Sequence, residues 1–446
     1  MGFDVSSRLL NHNRRIETMN ITILTYGTRG DVEPFLPLSI RLMANGHSIK
    51  LAAPYRFKEL VEGYGISFIP LPGDPEEPIR RIIEANHNFI KILNEEVVYA
   101  LEVGADVIKQ SEEACKGADL IIHSVSHTID GHTRAHEMNI PDIQVQASPM
   151  YTPTGDYPEI TLSDLKIPSL NYLTHIAVQR IIWWLSLYGF RRIRRKAGLP
   201  RRKLYFPFDE NPLHPPMPIL CAWSPSLLPP SKDWNSNVHV IGSLRFDRID
   251  SYQPPASLQE FLSAGAPPVC VTFGSMVIRN AEKIDRMVRE ALMKTGQRGI
   301  ILSGWGKING ASSAELLYLD AVPHDWLLPR CNMVIHHGGS GTTSAGLRAG
   351  IPNIVVPFMI DQPFWARRVH AVGAGPKPIP LKRLSVERLT QAISEADSPG
   401  IRERVQVISQ QMRNEDGVSR AVELIESHVQ IWNEMVTIFD GVQSRN

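Results

Sequence analysis

Several features of large protein classes are missing from this sequence of 446 residues. No apolar run approaches the roughly 20 residues that span a bilayer, which excludes an ordinary transmembrane helix. Cysteine is scarce: Cys115, Cys221, Cys270 and Cys331 are the only ones. None forms a C-x-x-C pair, and their wide spacing points to reduced, intracellular thiols. Neither sign of charge is in excess, since 47 Lys+Arg against 46 Asp+Glu leaves +1. That removes any global drive toward nucleic acid. Gly-Lys-Ser/Thr does not follow any glycine-rich turn and no G-x-G-x-x-G occurs, so both the P-loop and the dinucleotide fingerprint are absent. Residues 1–18 lack the apolar centre of a signal peptide and read as a disordered extension, with Met19 nearer a natural start. The expectation is a cytoplasmic protein able to touch a membrane surface, long enough for two or three domains.

What is present centres on Met333-Val334-Ile335-His336-His337-Gly338-Gly339-Ser340-Gly341-Thr342-Thr343. An apolar strand runs into two histidines and two glycines, then into small hydroxyl residues and the first turn of a helix. Free N–H groups at such a helix start form an anion site. Glycines admit a phosphate to the backbone, Ser340, Thr342 and Thr343 add hydroxyl donors, and His337 sits at the mouth. On its own this pattern leaves phosphate binding and a purely structural turn at even weight.

The N-terminal half alternates strand and helix. Ile21 to Tyr26 reads as a strand, Gly27 to Pro34 as its turn, and Phe35 to Met43 as a helix stopped by Asn45-Gly46. Strands at His47 to Ala53 and Ser67 to Leu71 follow, with a helical stretch from Ile79 to Lys116 and strands at Ala118 to Val125 and Ile143 to Ala147. Such βαβ succession predicts a parallel sheet with ligands beyond the strands' carboxyl ends. Asp31 lies at that edge, where spacing leaves two roles open: a helix cap and a general base. His123, His127, His132 and His136 recur at four- or five-residue intervals, but no Cys or adjoining carboxylate set closes a metal site around them, so none is expected. Between Ile176 and Lys196 an apolar, Trp-bearing run that includes Trp183 meets Arg191, Arg192, Arg194, Arg195 and Lys196. That is either a packed helix with a solvated basic end or an apolar acceptor wall beside a surface for anionic lipid.

The second half opens after the proline-rich stretches Pro225 to Pro230 and Tyr252 to Pro255. Strands are expected at Val269 to Phe273, Gly299 to Ser303, Leu316 to Val322 and Asn353 to Pro357, and a long helix from Val418 to Phe439. Ser275 ends the first of these strands, as a helix cap or an anion contact.

The run from His336 to Pro363, including Ala349-Gly350-Ile351-Pro352 and Asp361-Gln362-Pro363, resembles the donor-binding signature of the UDP-glycosyltransferase superfamily. Gly27-Thr28-Arg29-Gly30-Asp31-Val32-Glu33-Pro34 resembles the first-loop motif of its sterol 3-beta-glucosyltransferases and bacterial glycopeptide-type enzymes. The Trp-rich helix followed by Gly198-Leu199-Pro200 is similar to one in the sterol type. Ser224 to Leu227 and Val238 to Gly242 resemble the strands that close the first domain. The resemblance implies an α/β GT-B architecture: two Rossmann-like domains facing across a cleft, with the C-terminal helix crossing back. Implied boundaries are an acceptor domain at 19–245, a linker at 246–265, a nucleotide-sugar domain at 266–415 and the returning helix at 416–446.

The implied activity is inverting, metal-independent transfer of a hexose, glucose foremost, from a UDP-sugar to a sterol or other lipid alcohol. The alternative acceptor is a polyketide, peptide or flavonoid-type product. UDP-sugar is a co-substrate and no cofactor is expected. Asp31 takes the role of base. Ser275, His337, Gly339, Ser340, Gly341 and Thr342 face the diphosphate. Val322 and His324 lie at the uracil, and Asp361 with Gln362 at the sugar hydroxyls. Plant relatives carry Trp where Ala321 stands, so Trp305 is the candidate for base stacking. Arg29, His123, His127 and Trp183 are candidate loop, phosphate or acceptor contacts.

Overall fold

A computed structural model describes residues 18–84, 89–162, 167–208, 215–246, 252–274, 281–304 and 310–443. Its strands are short and most are buried on both faces, the pattern of a parallel sheet covered by helices. Seven build the first sheet: β1 (Asn20–Leu24), β2 (Ser48–Pro54), β3 (Ser67–Leu71), β4 (Leu120–Ser124), β5 (Asp142–Gln146), β6 (Ile219–Cys221) and β7 (Val238–Val240). Five build the second: β8 (Val269–Thr272), β9 (Gly299–Leu302), β10 (Leu316–Leu319), β11 (Met333–His336) and β12 (Asn353–Val355). The orders are β3-β2-β1-β4-β5-β6-β7 and β10-β9-β8-β11-β12.

Each order reverses direction once, between β1 and β4 and between β8 and β11. At these switch points adjacent loops leave in opposite senses and open a crevice. In the first sheet Ile23 pairs with Ile122 and Leu24 with His123, which brings the loops after β1 and β4 side by side. In the second, His336 pairs with Thr272, so the loops after β8 and β11 do the same.

The halves are joined by apolar packing. Trp223, with no exposed surface, stands edge-on to Trp365 at 5.9 Å between ring centroids. Around this pair, Ile219, Cys221 and Leu228 from the first half form one core with Leu347, Phe364 and Val405 from the second. The indole N–H of Trp223 donates to the Leu228 carbonyl at 3.1 Å, so its polar atom is satisfied inside that core. The last helix, Gly417–Gln443, crosses back, and Ala421, Val422, Ile425 and Val429 enter the core of the first sheet. Asn45 Nδ2 donates to Glu426 Oε1 at 2.8 Å and secures the crossing.

Several expectations shift. The strand after β5 is Ile219–Cys221, and Ser224 to Leu227 forms a turn in which Ser224 Oγ donates to Glu415 Oε1 at 2.6 Å. The predicted linker contains a helix, Ala256–Ser263, whose Leu258 and Phe261 are buried in the second half. Helices Val386–Ala396 and Pro399–Arg413 were not singled out by the sequence pattern.

Trp223→Ala removes one of the two fully buried tryptophans at the junction. The loss in unfolding free energy should be about 3–5 kcal/mol, as for large aromatic truncations in close-packed cores. Urea unfolding reads it, and a loss below about 1 kcal/mol contradicts a junction held by this packing.

Candidate active site

After β1 the chain turns through Gly27 into a short helix, Arg29–Val32. Asp31 is the third residue of that helix. Its Oδ2 accepts from Thr28 N at 2.7 Å and from Thr28 Oγ1 at 3.1 Å, the bond to the N-cap amide being that of an N-terminal capping box. Neither bond uses Oδ1. Gly27 has φ +148°, and a Cβ on it would stand 2.3 Å from Asp31 Oδ2, so the turn needs glycine for the carboxylate to sit there. Asp31 is reached by solvent, but the protein crowded around it raises its pKa, against the lowering effect of the two Thr28 bonds.

The loop after β4 is tied to this turn: Ser126 Oγ donates to the Tyr26 carbonyl at 2.9 Å and accepts from Tyr26 N at 3.2 Å. His127 follows it, its ring 6.3 Å from that of Tyr26, with its pKa lowered to about 4 by burial and by His123.

In the second half β11 ends at His336, whose Nδ1 accepts from Gly338 N at 3.1 Å and shapes the turn. His337 is half-buried, its ring seated against Gly274 and Gly339, where added Cβ atoms would come within 2.9 Å and 2.5 Å. Burial, with His324, lowers its pKa to about 4, so the imidazole is neutral at pH 7. The helix Ser340–Ala349 begins here with Gly339 as its cap. Thr343 N is the first amide to reach an intrahelical acceptor, Gly339 O at 2.9 Å. The amides of Ser340, Gly341 and Thr342 precede it, which makes this end a donor cluster with the positive pole of the helix behind it.

Asp361 stands at the start of the helix Gln362–Ala371, and its Oδ2 accepts from Trp365 Nε1 at 3.2 Å. Its pKa is pushed up to about 6 by burial and then by the charge of Asp31. The two carboxylates, from opposite halves, are therefore near enough for their charges to interact. His324 also faces the first half: burial lowers its pKa, Glu33 raises it and Arg29 lowers it.

Of the predicted residues, Asp31 lies at the first switch point and His337, Gly339, Ser340, Gly341 and Thr342 at the second, while His324 follows β10 and Asp361 follows β12. Ser275 and Trp305 lie outside the described residues. Val322 packs its side chain into the second half's core, which leaves only its backbone to a ligand. Gln362 is buried, and its Oε1 accepts from Phe358 N at 2.9 Å and Met359 N at 3.2 Å, so that oxygen shapes the loop carrying Asp361. Arg29 pairs with Glu33, Nη2 to Oε1 at 2.7 Å, and so holds the loop. His123 has no exposed surface; its Nε2 lies 2.9 Å from Asp142 Oδ2, which His132 Nδ1 approaches at 3.0 Å. Burial pushes the Asp142 carboxyl up, but His132 and His123 together hold it below the usual range. His123 thus serves the sheet interior, a correction to its expected acceptor contact. Trp183 packs edge-on to Phe206 at 5.3 Å, within an aromatic group that continues through Phe208 to Tyr151.

Thr28 and Trp365 were missed as partners of the two carboxylates. Both had a sequence signal: Thr28-x-x-Asp31 has capping-box spacing, and Asp361 with Trp365 is an i, i+4 pair at a helix start. Asp142 had none, because its histidines reach it only through strand pairing.

Residues 21–148 match the family model of the glycosyltransferase family 28 N-terminal domain. Residues 313–424 match the C-terminal domain of erythromycin biosynthesis protein CIII-like proteins. The sequence is 38% identical over 427 residues to the sterol 3-beta-glucosyltransferase UGT80A2 of Arabidopsis thaliana, covering 93% of this chain and 66% of that one. It is 32% identical over 430 residues to UGT80B1 of the same plant, covering 93% and 69%. The chain belongs to this glycosyltransferase family. It spans about two thirds of the length of the plant relatives and 27% of a Cryptococcus neoformans sterol 3-beta-glucosyltransferase that is 33% identical to it.

Solved structures place the glycosyltransferase in the GT-B fold. The glycosyltransferase of kitacinnamycin superposes with a TM-score of 0.68 at 19% identity, covering 93% of this chain and 100% of that one. The calicheamicin glycosyltransferase CalG4 superposes at 0.65 and 16% identity, covering 93% and 99%.

The raised pKa of Asp361 carries a stability cost with a definite sign. Its folded value of about 6 exceeds the ordinary 3.8, so the folded state holds the proton more tightly and loses stability as pH rises through that window. Asp361→Asn should therefore raise the melting temperature by a few degrees at pH 8, by less at pH 5, and weaken use of the sugar donor. A pH 8 melting temperature at or below wild type contradicts the electrostatic account.

Proposed function

We propose that the protein transfers glucose from UDP-glucose to the 3-hydroxyl of a sterol, with inversion at the anomeric carbon. The observation that carries this reading is the donor cluster at the start of the helix Ser340–Ala349, with Asp361 and Asp31 near enough for their charges to interact. It is supported by the sterol 3-beta-glucosyltransferase names of relatives that are 38% and 32% identical.

In this reading Asp31 accepts the hydroxyl proton as the sterol oxygen attacks C1 of the sugar. The bond from C1 to the β-phosphate oxygen breaks, and its electron pair leaves with UDP. A base is best poised when its pKa lies nearer the working pH, and crowding moves Asp31 in that direction. Thr28 holds the carboxylate by one oxygen and leaves Oδ1 for the incoming proton.

Charge developing on the leaving diphosphate meets the free amides of Ser340, Gly341 and Thr342. These are oriented before reaction and need no reorganisation. His337, neutral at pH 7, contributes a hydrogen bond and no formal charge. Asp361, with one oxygen fixed by Trp365, accepts from sugar hydroxyls. The backbone at Val322 and His324 faces the base, and the aromatic group from Trp183 to Tyr151 walls the apolar acceptor. No cofactor or metal takes part in this scheme.

Incubation with UDP-glucose and a 3-hydroxysterol in detergent micelles should yield the steryl glucoside by mass spectrometry. Turnover of soluble phenols and macrolides but not of sterols would transfer the reading to natural-product acceptors. Asp31→Asn should lower kcat by about 10²–10⁴-fold with UDP affinity by calorimetry unchanged; near-normal turnover removes Asp31 from the mechanism. For the wild type, turnover should fall as pH drops through the raised pKa of Asp31. EDTA should leave the rate unaltered, and a rate lost to EDTA and restored by a divalent ion overturns the metal-free scheme.

A further inference from the structure

The helix Pro168–Lys196 is built inside out. Its buried residues are Asn171, His175, Gln179 and Arg194, all polar. Two of them bond to the body of the protein: Asn171 Nδ2 donates to Gly155 O at 2.9 Å, and His175 Nε2 lies 3.0 Å from Tyr157 O. Six large apolar residues face outward, while Ile176, Val178, Ile182 and Trp183 are half-buried. Leu170, Leu173, Ile181, Trp184, Leu185 and Tyr188 recur at helical spacing on one side, with Trp184 65% and Tyr188 63% exposed. At about 100° per residue these positions fall within one stripe, and Arg191, Arg192 and Arg195 continue it. A water-facing helix of a soluble domain has the opposite arrangement, so the outer face is made for an apolar neighbour.

Charge selects the neighbour. The helix carries Arg180, Arg191, Arg192, Arg194, Arg195 and Lys196 and no acidic residue. Arg194 is spoken for: it is buried, its Nη1 meets Glu112 at 2.9 Å and its Nε donates to Pro200 O at 2.8 Å. Arg191, Arg192, Arg195 and Lys196 are exposed. Trp184 and Tyr188 lie where the apolar stripe gives way to this basic end, the position aromatic side chains take between acyl chains and headgroups. Among the described residues no helix is long and apolar enough to cross a membrane.

We propose that this face docks the protein on an anionic lipid bilayer, the helix lying in the interfacial plane with its apolar stripe among the acyl chains and Arg191, Arg192 and Arg195 at the phosphates. The mode is that of an in-plane amphipathic helix strengthened by basic residues. Trp183, next to Trp184 but turned inward onto Phe206, joins this face to the aromatic wall described above. A lipid alcohol leaving the bilayer at this face meets that aromatic group first. That last consequence rests on the sterol reading; the docking itself does not.

The test is vesicle binding without donor or acceptor, so its failure is separate from any failure of glucosyl transfer. Wild type should co-sediment with phosphatidylcholine vesicles containing phosphatidylserine at low salt, and at least tenfold less with phosphatidylcholine alone. Trp emission should be quenched by lipid brominated on its acyl chains, and Trp184→Phe should lose most of that quenching. The triple variant Ile181→Ser, Trp184→Ser, Leu185→Ser should bind at least tenfold more weakly while keeping the wild-type circular dichroism. Arg191→Gln, Arg192→Gln, Arg195→Gln should weaken binding about a hundredfold, at about fivefold per charge. Binding that survives both triple variants overturns the proposal. So does wild type that ignores vesicles yet self-associates through this face, with the serine variant monomeric; the stripe is then an interface between copies.

Discussion

The packing of Trp223 against Trp365 is the contact on which the site depends. Trp365 has its ring in the junction core and its N–H on Asp361. One side chain therefore binds the two halves together and fixes the carboxylate that faces Asp31. Domain pairs with small polar interfaces move freely, whereas a shared apolar core resists shear and opening. The junction also includes Arg368, whose Nη2 donates to Leu227 O at 2.9 Å, and Ser243 Oγ, which donates to Ser344 Oγ at 3.1 Å beside the anion-facing turn.

Electrostatics in the cleft runs against stability and toward chemistry. Two carboxylates placed near each other and crowded by protein resist ionisation, and both have raised pKa values. Nothing in folding rewards that arrangement. Two histidines of the opposite wall, His324 and His337, are held neutral by burial, so they do not cancel the acidic pair. The positive character of the site comes from backbone amides at a helix start, which cannot be titrated away. Neutral histidines and helix-start amides, near two carboxylates that resist ionisation, mark a candidate site for a ligand that brings its own charge.

The helix Pro168–Lys196 shows how a polar interior and an apolar exterior coexist. Asn171 Nδ2 and His175 Nε2 meet backbone carbonyls, which offsets part of the penalty for burying these side chains, while Asn171 Oδ1 and His175 Nδ1 are buried without a partner among the described residues. Its basic end is split by one side chain: Arg194 is consumed by Glu112, which also receives Arg134 Nη2 at 2.7 Å and Arg202 Nη1 at 2.9 Å. That cluster holds the helix's end to the first half while the neighbouring arginines remain outside.

Local chemistry was readable in the sequence because it is carried by neighbours in the chain. β-branched runs set the strands, Gly27 and the glycines around His337 set the turns, and Ser340 to Thr343 mark a helix start with unpaired amides. Parallel α/β order follows from strand-helix alternation, and with it the rule that ligands lie beyond strand ends. Only the tertiary structure decided which side chains remained available. Arg29, His123 and Arg194 look alike in sequence to free functional groups, but Glu33, Asp142 and Glu112 claim them. The strand Ile219–Cys221 is set by pairing with β5 and β7, and its three residues carry too little periodicity to be read alone. The sequence of the helix Pro168–Lys196 reads equally well with either face inward, because a helical period fixes which residues share a side and says nothing about which side meets the protein. Partner choice is a long-range property: it is made when Asn171 finds Gly155, and when Asp31 and Asp361, some 330 residues apart in the chain, are brought to the same cleft.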